Sequence, residues 1–434
     1  MKRKIYDKLL EWKNAKERKP LMLFGARQIG KTYIIEKFCQ NEFKNFYKVN
    51  LFNDDLLVKT YESSMNASDK FKELLSITGI EEINKDTVLF IDEIQESPSL
   101  ISSLKYFCEE HSDLNIICAG SLLGIALKRN KDKKSFPVGK VYMLDMYQMD
   151  FEEYLMAFNE YDLIDKIKES YESNKPLIEP LHNKALQYYN RYLFTGGMPE
   201  AVKNIVSVDG NTSSFNDNIL KDIVSAYFED MTKYVDNNSE TIKIQAIYNT
   251  IPSQLANDSH KFQYSKIKSG SSSRDYELPL DWLISSRIVL ESFNVKTPNV
   301  PVKAFIDTNT FKIYLNDVGL LRVLSDLSYT DITSGIYNGI LAENYTAIHL
   351  MSIFNKTLTY YKNETSTLEI DFLLQNECGV IPIEVKSSEN TQSKKLKTYV
   401  NKYNPKYSIR ISRKNFGLIN NIKSIPLYAV FCIK

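Results

Sequence analysis

The chain is expected to be an α/β protein: a three-layer domain with a parallel sheet in front, a largely helical middle, and a second α/β domain at the end. Three observations predict this. Short apolar runs, Leu21–Phe24, Val88–Ile91 and Leu114–Cys118, alternate with helically patterned stretches over the first 150 residues. Such alternation implies right-handed crossovers and a parallel sheet covered on both faces. Helical patterning then dominates from Phe151 to about Tyr234, and past Thr297-Pro298 strands and helices mix again. A length of 434 residues, at about 150 residues per domain, agrees with several domains.

Composition narrows the classes. Lys plus Arg number 55 and Asp plus Glu 54, a formal net charge of +1, so contact with nucleic acid has to come from a local patch. Hydrophobic residues at 43% and charged residues at 25% fit a folded globular chain and exclude a disordered one. No apolar run approaches the ~18 residues of a spanning helix, and no apolar core follows the basic start Met1-Lys2-Arg3-Lys4. A cytoplasmic protein without membrane contact is expected. Five cysteines, Cys39, Cys108, Cys118, Cys378 and Cys432, form no Cys-x-x-Cys pair, which argues against disulfides and structural zinc and for buried thiols. The four histidines are equally dispersed.

Element by element, Ile5, Leu9 and Trp12 stand at i, i+4 and i+7 and predict an amphipathic helix, ended by Lys19-Pro20. The strand Leu21–Phe24 runs into Gly25-Ala26-Arg27-Gln28-Ile29-Gly30-Lys31-Thr32-Tyr33, with Ile34, Ile35 and Phe38 on one face of the following helix. Val88–Ile91 ends in Asp92-Glu93, and Leu114–Cys118 ends in Ala119-Gly120-Ser121. A bend is expected at Thr195-Gly196-Gly197-Met198-Pro199 and an exposed loop over 209–218. From Ile242 to Phe293, short helices, one carrying Tyr276, Leu280 and Leu283, precede a strand-like Arg287–Leu290. That order is similar to a winged helix-turn-helix. The expected domains are 1–150, 151–235 (helical lid), 236–296 (winged-helix-like) and 297–434.

Gly25-x4-Gly30-Lys31-Thr32 is a complete P-loop pattern between a strand and a helix. The two glycines let successive backbone N–H groups wrap a polyphosphate, and the helix beginning near Lys31 adds its positive end. Residues 25–33 are thus expected to hold nucleotide, with Lys31 on the β/γ oxygens and Thr32 on Mg²⁺. Asp92, at the carboxyl end of its strand, is placed for the Mg²⁺ shell, and Glu93 for orienting and deprotonating a water. Ser121 is the candidate γ-phosphate sensor, with a helix N-cap as its alternative role. Arg27, Arg129 and Lys140 are candidate arginine-finger-like cations, in cis or from a neighbouring copy, so an oligomer is left open. No Asn-Lys-x-Asp guanine motif is present, which favours ATP and ADP.

Near the end, Glu369–Leu374 and Val380–Lys386 flank a turn at 375–379 and predict two strands. Residues two apart share a strand face, so Glu384 and Lys386 are expected to point away from Ile383 and Val385. If the strands pair, Asp371 and Glu384 converge, with Lys386 beside them and Glu343 supplied from a helix. Hard carboxylate oxygens of this kind suit a second divalent ion. Asp followed by Glu-x-Lys resembles the PD-(D/E)xK restriction-endonuclease-like core.

Nearly the whole chain resembles the prokaryotic AAA-type P-loop ATPases that carry a carboxyl-terminal domain of unknown function. The matching stretches are Pro20–Thr32, Phe90–Gln95, Ala119–Ser121, Phe136–Gly139, Phe151–Glu153, Gly196–Glu200, Ala342–Asn344, Ile370–Phe372 and Pro382–Lys386. Lys140 departs from that family's pattern, in which arginine is common after the glycine. The resemblance implies an ATPase core, a winged-helix region and a nuclease-like carboxyl domain, with no settled substrate. Three functions follow as expectations: an ATP-hydrolysing switch on duplex DNA, an ATP-gated Mg²⁺-dependent nuclease, or a nucleotide-binding adaptor that scarcely hydrolyses. For the first, Lys261, Lys266, Lys268 and Arg274 flank the candidate DNA-reading helix.

Overall fold

Four apolar residues directly after Pro20 form the strand β1 (Leu21–Phe24), wholly buried at the centre of the first sheet. The computed structural model describes residues 1–53, 55–62, 66–125, 136–233, 238–257, 261–363, 368–389 and 394–434. Contacts divide the chain into two units, Lys2–Tyr147 with Ser285–Arg287, and Gln148–Ile284 with Ile288–Lys434.

In the first unit, β1 is joined by β2 (Asn45–Asn50), β3 (Thr87–Asp92), β4 (Asn115–Ala119) and β5 (Tyr142–Asp145). The sheet order is β2-β3-β4-β1-β5 and every pairing is parallel. The parallel sheet expected from the alternation is present, and β2 and β5 extend it beyond the three apolar runs. β2 was hidden because polar residues break it up, Asn-Phe-Tyr-Lys-Val-Asn; β5 lies in the short apolar run Val141–Leu144, of which Tyr142 and Met143 are exposed. The first helix, Ile5–Lys13, buries Ile5, Leu9 and Trp12 as its periodicity requires, and the Trp12 indole donates to the Lys19 carbonyl at 2.8 Å.

The second unit holds two sheets. β6 (Val289–Val295) and β7 (Ile306–Leu315) pair antiparallel, and β6 also pairs parallel with β8 (Leu358–Lys362), which pairs with β9 (Glu369–Ile370). β10 (Phe372–Asn376) and β11 (Gly379–Val385) form an antiparallel hairpin, extended by β12 (Ser408–Ser412), β14 (Ile422–Pro426) and β13 (Gly417–Ile419) in the order β10-β11-β12-β14-β13. The helix Asn238–Leu255, a short turn at Tyr264–Lys266, the helix Ser273–Ser285 and the β6–β7 pair follow the order of a winged helix. Yet β6 is committed to β8, so the hairpin is part of a four-stranded sheet, and the reading boundary at 296/297 falls inside it. A strand expected over 369–374 is interrupted at Asp371, which separates β9 from β10.

Two of the stretches that carry the family resemblance make contacts within the second unit. Phe151-Glu152-Glu153 opens a helix with a capping box: Glu153 N–H donates to Asp150, and Asp150 N–H to the Glu153 carboxylate. Phe151 N–H donates to His349 Nε2 at 3.0 Å, while His349 Nδ1 lies 2.9 Å from the Tyr345 carbonyl, which makes Nδ1 the protonated nitrogen. At the Gly196-Gly197 bend, Gly197 N–H donates to the buried Asp317 carboxylate at 2.7 Å. A Cβ on Gly196 would stand 2.0 Å from Asp317 Oδ1, and one on Gly197 2.0 Å from the Met149 carbonyl. The paired glycines are therefore a packing requirement.

Cys39, Cys118 and Cys432 are buried, as expected of structural thiols, whereas Cys378 is exposed. Among the described residues no helix is long and apolar enough to cross a membrane.

Candidate functional site

The P-loop lies at the carboxyl edge of the first sheet, between β1 and the helix Lys31–Glu42. Three of its residues adopt positive φ: Gly25 (+154°), Gln28 (+65°) and Gly30 (+89°). That backbone turns successive N–H groups inward, the arrangement that makes an anion nest. Space is as tight as conformation: a Cβ on Gly25 would meet Ile29 Cδ1 and the Met146 carbonyl, each at 2.4 Å. Ile29 is buried, whereas Arg27, Gln28 and Tyr33 are exposed at the rim. Lys31 is buried, and its ammonium donates to the Gly25 carbonyl at 2.9 Å and the Ala26 carbonyl at 2.7 Å. The cation is thus held inside the loop that would take the phosphates.

The sheet order brings the other motifs to the same edge. β4 lies between β1 and β3, so Gly120-Ser121 leaves the sheet between Gly25 and Asp92. Thr32 Oγ1 donates to Asp92 Oδ2 at 3.1 Å. Burial and the neighbouring Glu93 push the Asp92 carboxyl above its usual range, against the pull of Thr32 and Lys48. A hydroxyl and a carboxylate oxygen side by side, both hard donors, fit Mg²⁺, which takes one or two protein ligands and completes its shell with phosphate and water. Glu93, in the left-handed region at φ +54°, accepts from Gln95 Nε2 at 2.6 Å.

Three residues here escaped the sequence reading. Lys48 on β2 lies 3.6 Å from Asp92 Oδ2 and 2.8 Å from Glu36; only recognition of β2 as a strand in register with β3 would have found it. Gln95 carried no chemical signature of its own. Arg287 pairs with Asp145 at 2.9 Å, at the end of β5 that lies beside Phe24, and nothing in a sequence separation of 142 residues announces that contact. Of the finger candidates, Lys140 precedes β5 and so stands at the edge of the sheet opposite the P-loop, paired with Glu109 at 2.8 Å. It cannot serve its own P-loop. Arg129 lies outside the described residues.

In the second unit, the β10–β11 register sets Phe372 opposite Ile383, which places Asp371 and Glu384 across from each other. Val385 N–H donates to Asp371 Oδ2 at 2.7 Å. Lys386 Nζ lies 3.4 Å from Glu384 Oε1. Glu343, on the helix Asn338–Phe354, interacts electrostatically with Asp371. The expected residues therefore gather, but with two differences. Glu384 is only 1% exposed, like Ile383 on the other face, because the hairpin is covered on both sides. The centre of the cluster is also taken by a residue the sequence reading missed. Lys312, 1% exposed, sits 3.0 Å from Glu343 Oε1 and 3.0 Å from Glu369 Oε1, and the Tyr314 hydroxyl donates to Glu343 at 2.7 Å. Burial opposes the Lys312 charge, but Glu343, Glu369 and Asp371 outweigh it and raise its pKa. Among the described residues no group of three or more His, Cys, Asp or Glu side chains is arranged to hold a metal ion. Of the residues expected at a second divalent site, Glu343, Asp371, Glu384 and Lys386, Glu343 is paired with the buried Lys312 ammonium.

Comparison with known proteins agrees with the first unit's geometry. Residues 17–155 match the AAA domain family, residues 186–331 a domain of unknown function (DUF8612), and residues 338–430 another (DUF4143). The chain is an α/β protein with an AAA-type P-loop ATPase domain at its front and two further domains behind it. It is 23% identical over 404 residues to the uncharacterized protein MJ1544 of Methanocaldococcus jannaschii, a span of 87% of this chain and 77% of that protein. Similar solved structures include the Walker-type ATPase PABY2304 of Pyrococcus abyssi, 13% identical, covering 75% of this chain and 95% of that one, with a TM-score of 0.45. Others are the Aeropyrum pernix ORC2 protein in its ADPNP–ADP complexes (13% identical, 78% and 91% covered, TM-score 0.36) and the ORC1 protein of the same organism in complex with DNA (11% identical, 75% and 91% covered, TM-score 0.30).

Proposed function

We propose that this chain binds ATP with Mg²⁺, hydrolyses it, and uses the cycle as a switch in association with duplex DNA. The observation that carries the reading is the Thr32–Asp92 hydrogen bond of 3.1 Å, which joins the P-loop to the acidic strand end. Residues 25–33 enclose the phosphates, with Lys31 neutralising the β/γ oxygens. Thr32 Oγ1 and Asp92 hold Mg²⁺, which when bound draws charge from the β- and γ-phosphates. Glu93 orients a water and takes its proton, and Ser121 reads the γ-phosphate. Replacing Lys31 with Ala removes the buried cation, and MgATP affinity measured by calorimetry is expected to fall about 10- to 100-fold. Wild-type heat signals in that variant, or none from the wild type at millimolar nucleotide, would overturn the reading.

DNA association rests on cationic surface. Arg274 is exposed at the start of the helix Ser273–Ser285, the candidate reading helix, and Lys266 and Lys268 are exposed in the segment before it. In the first unit, a hollow of about 780 Å³ at the edge opposite the P-loop is lined by Lys13, Lys16, Arg18, Lys19, Lys85 and Lys140 against Glu17 and Asp113. Duplex affinity is expected to fall steeply with salt, by about 0.9 log units per log unit of salt for each phosphate contact. Lys266→Ala/Lys268→Ala/Arg274→Ala should flatten that slope by up to about 3. A flat wild-type slope counts against DNA. The nuclease alternative is disfavoured by Lys312, which already neutralises Glu343 and Glu369. The adaptor alternative is separated from the switch by phosphate release.

A further inference from the structure

We propose that Gln95 is a positioning residue for hydrolysis: its amide fixes the Glu93 carboxylate at one end and offers its carbonyl oxygen to the attacking water at the other. The proposal rests on the reading of Glu93 as the base and adds a residue to it. Gln95 lies in the tight turn Ile94–Glu96 that directly follows Glu93, and it is 7% exposed. Its Nε2 donates to Glu93 Oε2 at 2.6 Å. A carboxylate only accepts, so the NH₂ end must face Glu93, and chemistry alone decides which end is the carbonyl. That carbonyl oxygen is buried and has no hydrogen-bond partner among the described residues.

Its surroundings locate it at the mouth of the site. A Cβ on Gly120 would stand 2.1 Å from Gln95 Oε1. Gly120 is not among the glycines with positive φ, so a glycine is needed here for room and not for backbone shape. Gly120 leaves β4 and precedes Ser121, between the P-loop and Asp92. The amide therefore links the Asp92-Glu93 strand end to the Gly120-Ser121 strand end, with an unused acceptor at the junction. A buried acceptor without a partner is costly, and a water molecule satisfies it.

The water oxygen forms a bond to the γ-phosphorus while the bond from that phosphorus to the bridging oxygen breaks, and its electron pair leaves with ADP. One water proton passes to Glu93 Oε1, since Gln95 engages Oε2; the other water hydrogen is held by Gln95 Oε1. Gln95 thus sets both the carboxylate's orientation and the direction of the water's lone pair.

The test uses the whole chain, measuring kcat, KM, the MgATP dissociation constant and the single-turnover rate at saturating enzyme. Gln95→Ala is expected to lower kcat about 10- to 100-fold, the scale of a misplaced reacting group, with MgATP affinity within twofold. Gly120→Ala, which displaces the amide, should reproduce the fall in kcat, and the double variant should be no worse than the poorer single one. Gln95→Glu keeps the shape if the alanine variant folds poorly, and by putting a second carboxylate where the amide donor stood beside Glu93 it should lower kcat at least as far. Wild-type kcat in Gln95→Ala or Gln95→Glu, or a lower kcat accompanied by an equal loss of MgATP affinity, overturns the proposal and leaves Gln95 a bracing residue. Inactive Glu93→Gln beside fully active Gln95→Ala sinks this proposal alone; active Glu93→Gln sinks the base assignment and this with it.

Discussion

Glu93→Gln is expected to slow phosphate release by about two to four orders of magnitude, the usual range for losing a general base, while MgATP still binds with near wild-type affinity. Glutamine keeps the length and planarity of the side chain but cannot take a proton from water. The elements that would hold nucleotide, the residue 25–33 loop and the Thr32–Asp92 pair, are left in place. Glu93 is only half-buried and its carboxylate accepts from Gln95 Nε2, so the fold should tolerate the change. Single-turnover measurement with saturating enzyme separates the chemical step from product release. Equal rates for wild type and variant would mean that the chain binds nucleotide without hydrolysing it, which is the adaptor reading.

Lys312→Met should be among the most destabilising substitutions in the second unit, at about 3–5 kcal/mol, the cost of leaving buried charges without their partner. The ammonium touches two carboxylates at 3.0 Å each and lies 4.8 Å from the Tyr360 ring centre. Methionine fills most of the volume but takes the ammonium away from Glu343 and Asp371, while Glu369 keeps Lys362 at 3.2 Å. The pH dependence follows from Asp371, whose pKa is pushed up to about 7 by burial and by Glu343. A raised carboxyl pKa contributes stability that is complete below the unfolded value near 3.8 and lost as pH rises through the folded value. Without Lys312 the carboxylates rise further, so the gap between variant and wild type should widen from pH 5 to pH 8. Adding Glu343→Gln should return part of the loss by removing one stranded charge. Denaturant or thermal unfolding at the two pH values checks this, and equal stability of Lys312→Met and wild type at pH 8 would show that the cluster is not held by that cation.

Much of the first unit was legible because its chemistry is local. A P-loop needs its glycines, lysine and threonine within eight residues, and the strand before it and helix after it are short-range patterns. The apolar run ending in Asp92-Glu93 is likewise self-contained. The strand β2 was not legible because its polar residues break the apolar signature, and β5 because an apolar run as short as Val141–Leu144 carries no periodicity that marks it as a strand. Lys48, Gln95 and Arg287 were missed for the same kind of reason: each acts through a neighbour supplied by another element or by an unremarkable turn. In the second unit the Asp371 and Glu384-x-Lys386 pattern was visible, and the hairpin register does set the two acids opposite each other. Whether they face water or a core, and which group lies among them, could not be read from alternation, because a hairpin covered on both sides has no solvent face.

What the linear order of residues determined was the phosphate-binding loop, its acidic partner strand and the α/β class, because each depends on contacts between near neighbours and on periodicity. What the folded chain alone decided was the role of residues far apart in sequence. It placed Gly120 against the Gln95 amide, it clasped Gly196-Gly197 on Asp317, and it set Lys312 where the carboxyl-terminal acids invited a metal ion. Burial is the physical reason: an ionised or amide group taken out of water must find its complement in space, and the sequence does not say which distant residue supplies it.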